Sequence, residues 1–126
     1  MRTGFDQWSG GGRIDPGGPG AIRLSCGDRR DGAAAVVIQG ELDLATADQT
    51  VRYICDVIDR HHGPVSVDLS GLAFCDACGL GALLRITAHA EQSGRRLEFT
   101  RPPRSLIKIM RITGVKDRLL ITALAG

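Results

Sequence analysis

The sequence predicts an α/β domain. One mixed sheet of about five strands packs against helices, in the order β-β-α-β-α-β-α-β. Three observations lead there. Apolar runs of strand length recur at 22–26, 34–38, 65–69, 96–100 and 119–121. Three segments between them carry apolar residues at helical spacing. A chain of 126 residues, 43% apolar and 24% charged, has room for one hydrophobic core and one domain.

The elements follow in order. Residues 1–20 hold Gly10-Gly11-Gly12 and Pro16-Gly17-Gly18-Pro19-Gly20, too little apolar surface to offset ordering entropy, so a flexible arm is expected with the domain at 21–126. Ile22 to Cys26 alternates apolar and polar, as a half-buried strand does. The polar turn 27–32 leads into Ala34 to Ile38, continuously apolar and so expected to be central and antiparallel to the first. A helix is expected from about Thr46, read as its N-cap, with Ala47, Val51, Ile54, Cys55 and Ile58 buried and Asp48, Arg52, Asp56 and Asp59 outside. His61-His62-Gly63-Pro64 ends it. Adjacent histidines invite a metal reading, but no matching ligand set accompanies them, and a helix C-terminus favours cations in any case. Val65 to Leu69 reads as the third strand, Ser70 to Cys78 as a loop, and Leu80 to Gln92 as a helix with Leu80, Leu83, Leu84, Thr87 and Ala88 inward. Arg96 to Thr100 is the fourth strand, Pro102-Pro103 opens a third helix stopped by Gly114, and Leu119 to Ile121 is a short last strand. Strands joined through helices run parallel by right-handed crossovers.

Composition excludes several functions. A net charge of +2 gives no basic footprint for nucleic acid or an acidic membrane surface, and 4% aromatic residues cannot build a base-stacking platform. No run of about 18 apolar residues spans a bilayer. The N-terminal MRTGFDQWSGGG has no apolar signal core, so a cytoplasmic protein with Cys26, Cys55, Cys75 and Cys78 as reduced thiols is expected.

The segment from Phe74 to Gly81 (FCDACGLG) carries the chemistry. It lies between a buried strand and a helix, where outward backbone N–H groups favour negative charge. Asp76 is placed to cap the helix, Gly79 and Gly81 permit close backbone approach, and Cys78 is a thiol in that positive field.

Gly40 to Ala47 (GELDLATA) resembles the GELD-x-x-T-A signature of the STAS domain family, the anti-sigma factor antagonists. Val67 to Leu72 followed by Phe74 to Gly81 resembles that family's V-D-L-x-x-(V/L)-x-F-x-D-S-S-G-L-G segment, and Lys108 to Ile121 resembles its ending. The resemblance covers roughly residues 21–123. It implies a STAS-like fold and a bacterial regulator of transcription that works by partner switching. Such an anti-anti-sigma factor has no catalytic residues, cofactor or metal of its own. It binds an anti-sigma factor, a serine kinase of the GHKL type, and frees a sigma factor. The kinase phosphorylates a serine at the helix start and so breaks the complex. Carried over residue by residue, the resemblance places the docking surface at Asp43, Thr46, Asp76, Ala77, Cys78, Gly79 and Leu80.

The departure lies in the same segment. The family's two serines are Ala77 and Cys78 here, and Cys78 holds the phosphoserine position. Partner binding is expected to survive this change, while phosphorylation control there is expected to be lost. Two alternatives stand beside this reading. Cys75 and Cys78 have C-x-x-C spacing, which admits a thiol–disulfide sensor. The helix N-terminus admits a nucleotide or other anion, although no Gly-rich phosphate loop with a lysine is present.

Overall fold

The computed structural model describes residues 21–114 and the backbone of residues 121–122. Its elements are β1 (Ile22–Asp28), β2 (Ala34–Leu42), α1 (Ala47–Arg60), β3 (Val65–Cys75), α2 (Ala77–Gln92), β4 (Leu97–Thr100), α3 (Arg104–Thr113) and β5 (Ile121–Thr122). The order and number of elements are those expected from the sequence. The expected arm, and the part of the last strand at Leu119 and Leu120, lie outside the described residues.

The five strands lie side by side in chain order, β1-β2-β3-β4-β5. β1 pairs antiparallel with β2, and β2-β3, β3-β4 and β4-β5 are parallel. Each parallel step moves to the next position in the same direction, so right-handed crossovers put all three helices on one face. The strands' alternation agrees. Ile22, Leu24, Val36, Ile38, Val65, Val67, Leu69, Leu97 and Phe99 point to the helices and are buried. The intervening Arg23, Val37, Asp68 and Glu98 are half-buried or exposed on the other face. Among these intervening positions Ser66 is the exception, with 8% exposure.

Several boundaries differ from the sequence reading, each for a tertiary reason. β3 does not end at Leu69: the expected loop 70–78 continues as strand to Cys75, paired with β2 up to Leu42. Register shifts between Val37 and Gln39 and between Gly40 and Glu41 break the alternation there, so the period-two signal is lost although pairing is not. For the same reason β2 runs to Leu42 rather than Ile38. α2 begins at Ala77, one turn before the expected Leu80, because Asp76 caps it. On α1 the buried face is turned relative to the expected stripe: Thr50, Tyr53 and Val57 are inside, while Val51 and Cys55 are half-buried. On α2, Ala82, Ile86 and Ala90 join Leu80, Leu83 and Thr87 in the core, and Leu84 and Ala88 sit at its margin. Gly114 ends α3 in a left-handed conformation with φ 75°, as its position suggested.

Gly40 is needed where the chain bends over β1. Its φ of 112° is unfavourable for other residues, and a Cβ there would lie 2.3 Å from the Ala21 carbonyl oxygen. Gly40→Ala is therefore expected to destabilise the fold by about 3 kcal/mol, summing overpacking and backbone strain. Urea unfolding checks this, and a loss well under 1 kcal/mol contradicts the close approach.

Three weak acids packed in or beside the core make stability sensitive to alkali. Burial pushes the Cys75 thiol up to about 12, with the Asp76 carboxylate adding to it. Burial pushes Cys26 up to about 11 although the Tyr53 hydroxyl, 3.3 Å away, opposes the rise. Tyr53 itself is raised by burial and by its Cys26 contact. Above the ordinary thiol value of 9.0 the unfolded chain loses protons that the folded chain keeps. Stability therefore falls as pH rises through that value. Thermal melts from neutral pH to about pH 11 are expected to show this decline, smaller in Cys75→Ala.

Candidate docking site

In parallel strands joined by helices, the helix N-termini gather at the C-terminal edge of the sheet. Here the β2–α1 and β3–α2 junctions meet directly. Glu41 pairs with Phe74 and Leu42 with Cys75, and the Asp76 N–H donates to the Leu42 carbonyl at 3.3 Å.

Asp76 is the N-cap of α2. Its Oδ1 accepts from the Gly79 N–H at 2.9 Å, and its carbonyl accepts from the Leu80 N–H at 2.9 Å. Gly79 lies directly under the β2–α1 junction: a Cβ there would fall 2.2 Å from the Leu42 carbonyl oxygen and 2.9 Å from Cys75 Sγ. Any side chain at 79 must push the start of α2 off the sheet edge.

The facing junction is held by Asp43 and Thr46. Asp43 Oδ1 accepts from the N–H groups of Ala45 at 3.0 Å and Thr46 at 3.2 Å. The Thr46 hydroxyl donates to the Glu41 carbonyl at 2.8 Å and accepts from the Asp43 N–H at 3.0 Å. Thr46 occupies the N-cap position of α1, but its side chain caps nothing there. It fastens the loop instead.

These contacts divide the residues expected at the docking surface. Ala77 and Cys78 are exposed, and Asp43 and Asp76 are half-exposed. Thr46, Gly79 and Leu80 are buried, with Thr46 at 3% and Leu80 at 4% exposure, so they support the surface without forming it. The reason is the tight seat of α2: Gly79 touches backbone and Leu80 turns into the core.

Two side chains at this edge were not among the residues expected at the docking surface. Leu44, in the β2–α1 loop, is 77% exposed, and Phe74, near the end of β3, is 48% exposed. Water-facing groups of this size beside small neighbours (Ala45, Ala73 and Ala77, all exposed) suit a protein contact. The available signal was negative: Leu44 and Phe74 fall outside both the strand alternation and the helical stripes.

The two thiols of the C-x-x-C differ. Cys75 is 5% exposed, its Sγ is 3.6 Å from the Asp76 carbonyl, and it resists ionisation. Cys78 is exposed on the first turn of α2, and both are free thiols. Among the described residues no group of three or more His, Cys, Asp and Glu side chains is placed to hold a metal ion. No helix is long and apolar enough to cross a membrane.

Residues 26–122 match the family profile described as Mlab, STAS domain. The chain belongs to the STAS domain family. The fold is shared with an anti-sigma factor antagonist from Mycobacterium paratuberculosis, at 23% identity and a TM-score of 0.70, over 86% of this chain and 92% of that one. It is shared with the unphosphorylated anti-sigma factor antagonist SpoIIAA, at 17% identity and a TM-score of 0.63, over 81% and 90%. The murine anion transporter Slc26a9 also contains it, at 19% identity and a TM-score of 0.60, over 71% of this chain but only 16% of the transporter. No curated protein matches the sequence.

Two outcomes are expected of this geometry. An alkylating reagent modifies Cys78 in the folded protein while Cys75 reacts at least about 100-fold more slowly, through opening of the fold. Mass spectrometry of the labelled peptides reads the difference, and equal rates contradict the burial of Cys75. Gly79→Ala costs about 2 kcal/mol of stability, measured by denaturant unfolding, because the obstacle is backbone rather than a movable side chain.

Proposed function

We propose that this STAS domain is an anti-sigma factor antagonist. It docks on an anti-sigma factor in the cytoplasm, releases a sigma factor and so regulates transcription, with no catalysis of its own. The observation that carries the proposal is an exposed edge made of Leu44, Phe74, Ala77 and Cys78, flanked by Asp43 and Asp76. Apolar side chains held outward in this way offer a contact surface to a protein.

The partner is a serine-kinase anti-sigma factor of the GHKL type. Phosphorylation at the start of α2 would place about two negative charges beside Asp43 and Asp76 and repel an acceptor surface that fits the unmodified edge. Cys78 has no hydroxyl, so this chain stays competent to bind when such a kinase is active. A thiol–disulfide switch is less well supported by this site: Cys75 is buried and resists ionisation, which leaves Cys78 as the accessible thiol.

Titration calorimetry against the serine-kinase anti-sigma factors of the source genome tests the proposal. Saturable binding is expected with one of them, and Leu44→Glu or Phe74→Glu is expected to weaken it at least tenfold while stability changes by less than about 0.5 kcal/mol. Binding to none, or binding indifferent to both substitutions, removes the proposal. With kinase and ATP the native chain is expected to take no phosphate at position 78, whereas Cys78→Ser takes one. Asp76→Lys is a poorer probe, since it also removes the α2 cap, worth about 1 kcal/mol.

A further inference from the structure

At the opposite edge of the sheet, where β2, β3 and β4 begin, a cleft of about 210 Å³ is lined by Arg29, Asp31, Ser66, Arg96 and Glu98, with Ala33, Pro64 and Val65 beneath them. Its floor is fixed by backbone. The Ala34 N–H donates to the Pro64 carbonyl at 2.8 Å, and the Val65 N–H to the Arg96 carbonyl at 2.8 Å. Arg29 and Asp31 satisfy one another at 3.1 Å. The remaining three polar side chains have no hydrogen-bond or ion-pair partner among the described residues: the Arg96 guanidinium, the Glu98 carboxylate and the Ser66 hydroxyl. Ser66 is 8% exposed, lines this cleft, and its hydroxyl meets no protein partner there.

Ser66 and Glu98 are cross-strand neighbours in the β3–β4 register. Arg96 precedes Glu98 by two residues, about 7 Å along an extended chain, and the two opposite charges do not pair. A guanidinium and a hydroxyl together suit a carboxylate, and the Glu98 carboxylate suits an ammonium. A bare oxyanion meets repulsion from Glu98 and Asp31, and a bare cation from Arg96.

We propose that this cleft binds a small zwitterion of the α-amino-acid class, its carboxylate held by Arg96 and Ser66 and its ammonium by Glu98. The site is independent of the docking edge, since no residue is shared and the two lie at opposite ends of β3.

The test is an amide-resolved NMR titration of the full chain with glycine and L-alanine up to about 100 mM, against acetate and methylammonium as separate halves. Saturating shifts are expected at Ser66, Glu98 and residues 29–33, with each half at least about tenfold weaker than glycine, one charge-assisted bond being lost in each. Glu98→Gln and Ser66→Ala are each expected to weaken glycine binding about tenfold. Three outcomes overturn the proposal: no saturation with either amino acid, acetate or methylammonium binding as well as glycine, or binding unchanged in both variants. The comparison of whole ligand with halves uses the native chain and decides the matter even if a variant fails to fold. The docking proposal does not depend on the result, and loss of partner binding in Phe74→Glu leaves this titration unchanged.

Discussion

The contact of Gly79 with the Leu42 carbonyl sets the geometry of the candidate docking edge. Because residue 79 has no side chain, α2 starts directly against the β2–α1 junction. Three consequences follow from that seat. Asp76 reaches its capping position, Leu80 turns into the core, and Ala77 and Cys78 are left facing water. Asp43 and Thr46 do the matching work on the other side, closing the loop with four short hydrogen bonds so that it does not yield. The edge is therefore preorganised, and a partner that meets it pays little conformational entropy on the side of this chain.

Much of this was legible before any coordinates. Strand and helix types followed from periodicity because one-sided burial imposes a period of two or of 3.6 on most of the chain. Asp76 was recognisable as a cap from its place between a strand and a helix, and Gly79 as a point of close approach. Legibility failed where tertiary pairing overrides local pattern. The end of β3 stays paired to β2 through register shifts, so residues 70–75 carry no alternation and read as loop. Thr46 has the composition of a helix cap, but its hydroxyl finds the Glu41 carbonyl first. The family resemblance assigned the docking motif as a block. The fold shows that such a block contains both buried and exposed residues, because consecutive residues at a helix start face different directions. The exposure of Leu44 and Phe74 left only a negative trace, their place outside the strand alternation and the helical stripes, which does not by itself report that an apolar side chain is excluded from the core.

Placing every helix on one face has an electrostatic counterpart. The helix face is closed by α1 and α2, which are tied at their outer surface by Asp48–Arg85 at 3.1 Å and Asp59–His89 at 2.7 Å. Exposed pairs of this kind contribute little stability. Ser66, Arg96 and Glu98 lie instead at the beginning of the parallel strands, at the far end of β3 from the candidate docking edge. The two proposed sites thus lie at opposite ends of the sheet, with the core between them.

The strand order also governs how the chain can assemble. Since β1 to β5 lie in the sheet in the order in which they occur in the sequence, no strand has to insert between two already paired. Each βα unit adds to an open edge, and every closure spans only one helix and its flanking turns, which keeps the entropic cost of closure low. A chain leaving the ribosome N-terminus first can build the β1–β2 hairpin, dock α1 and β3 on it, and then extend the sheet without undoing earlier pairings. The docking edge is finished as soon as α2 is seated, before β4, α3 and β5 have been added.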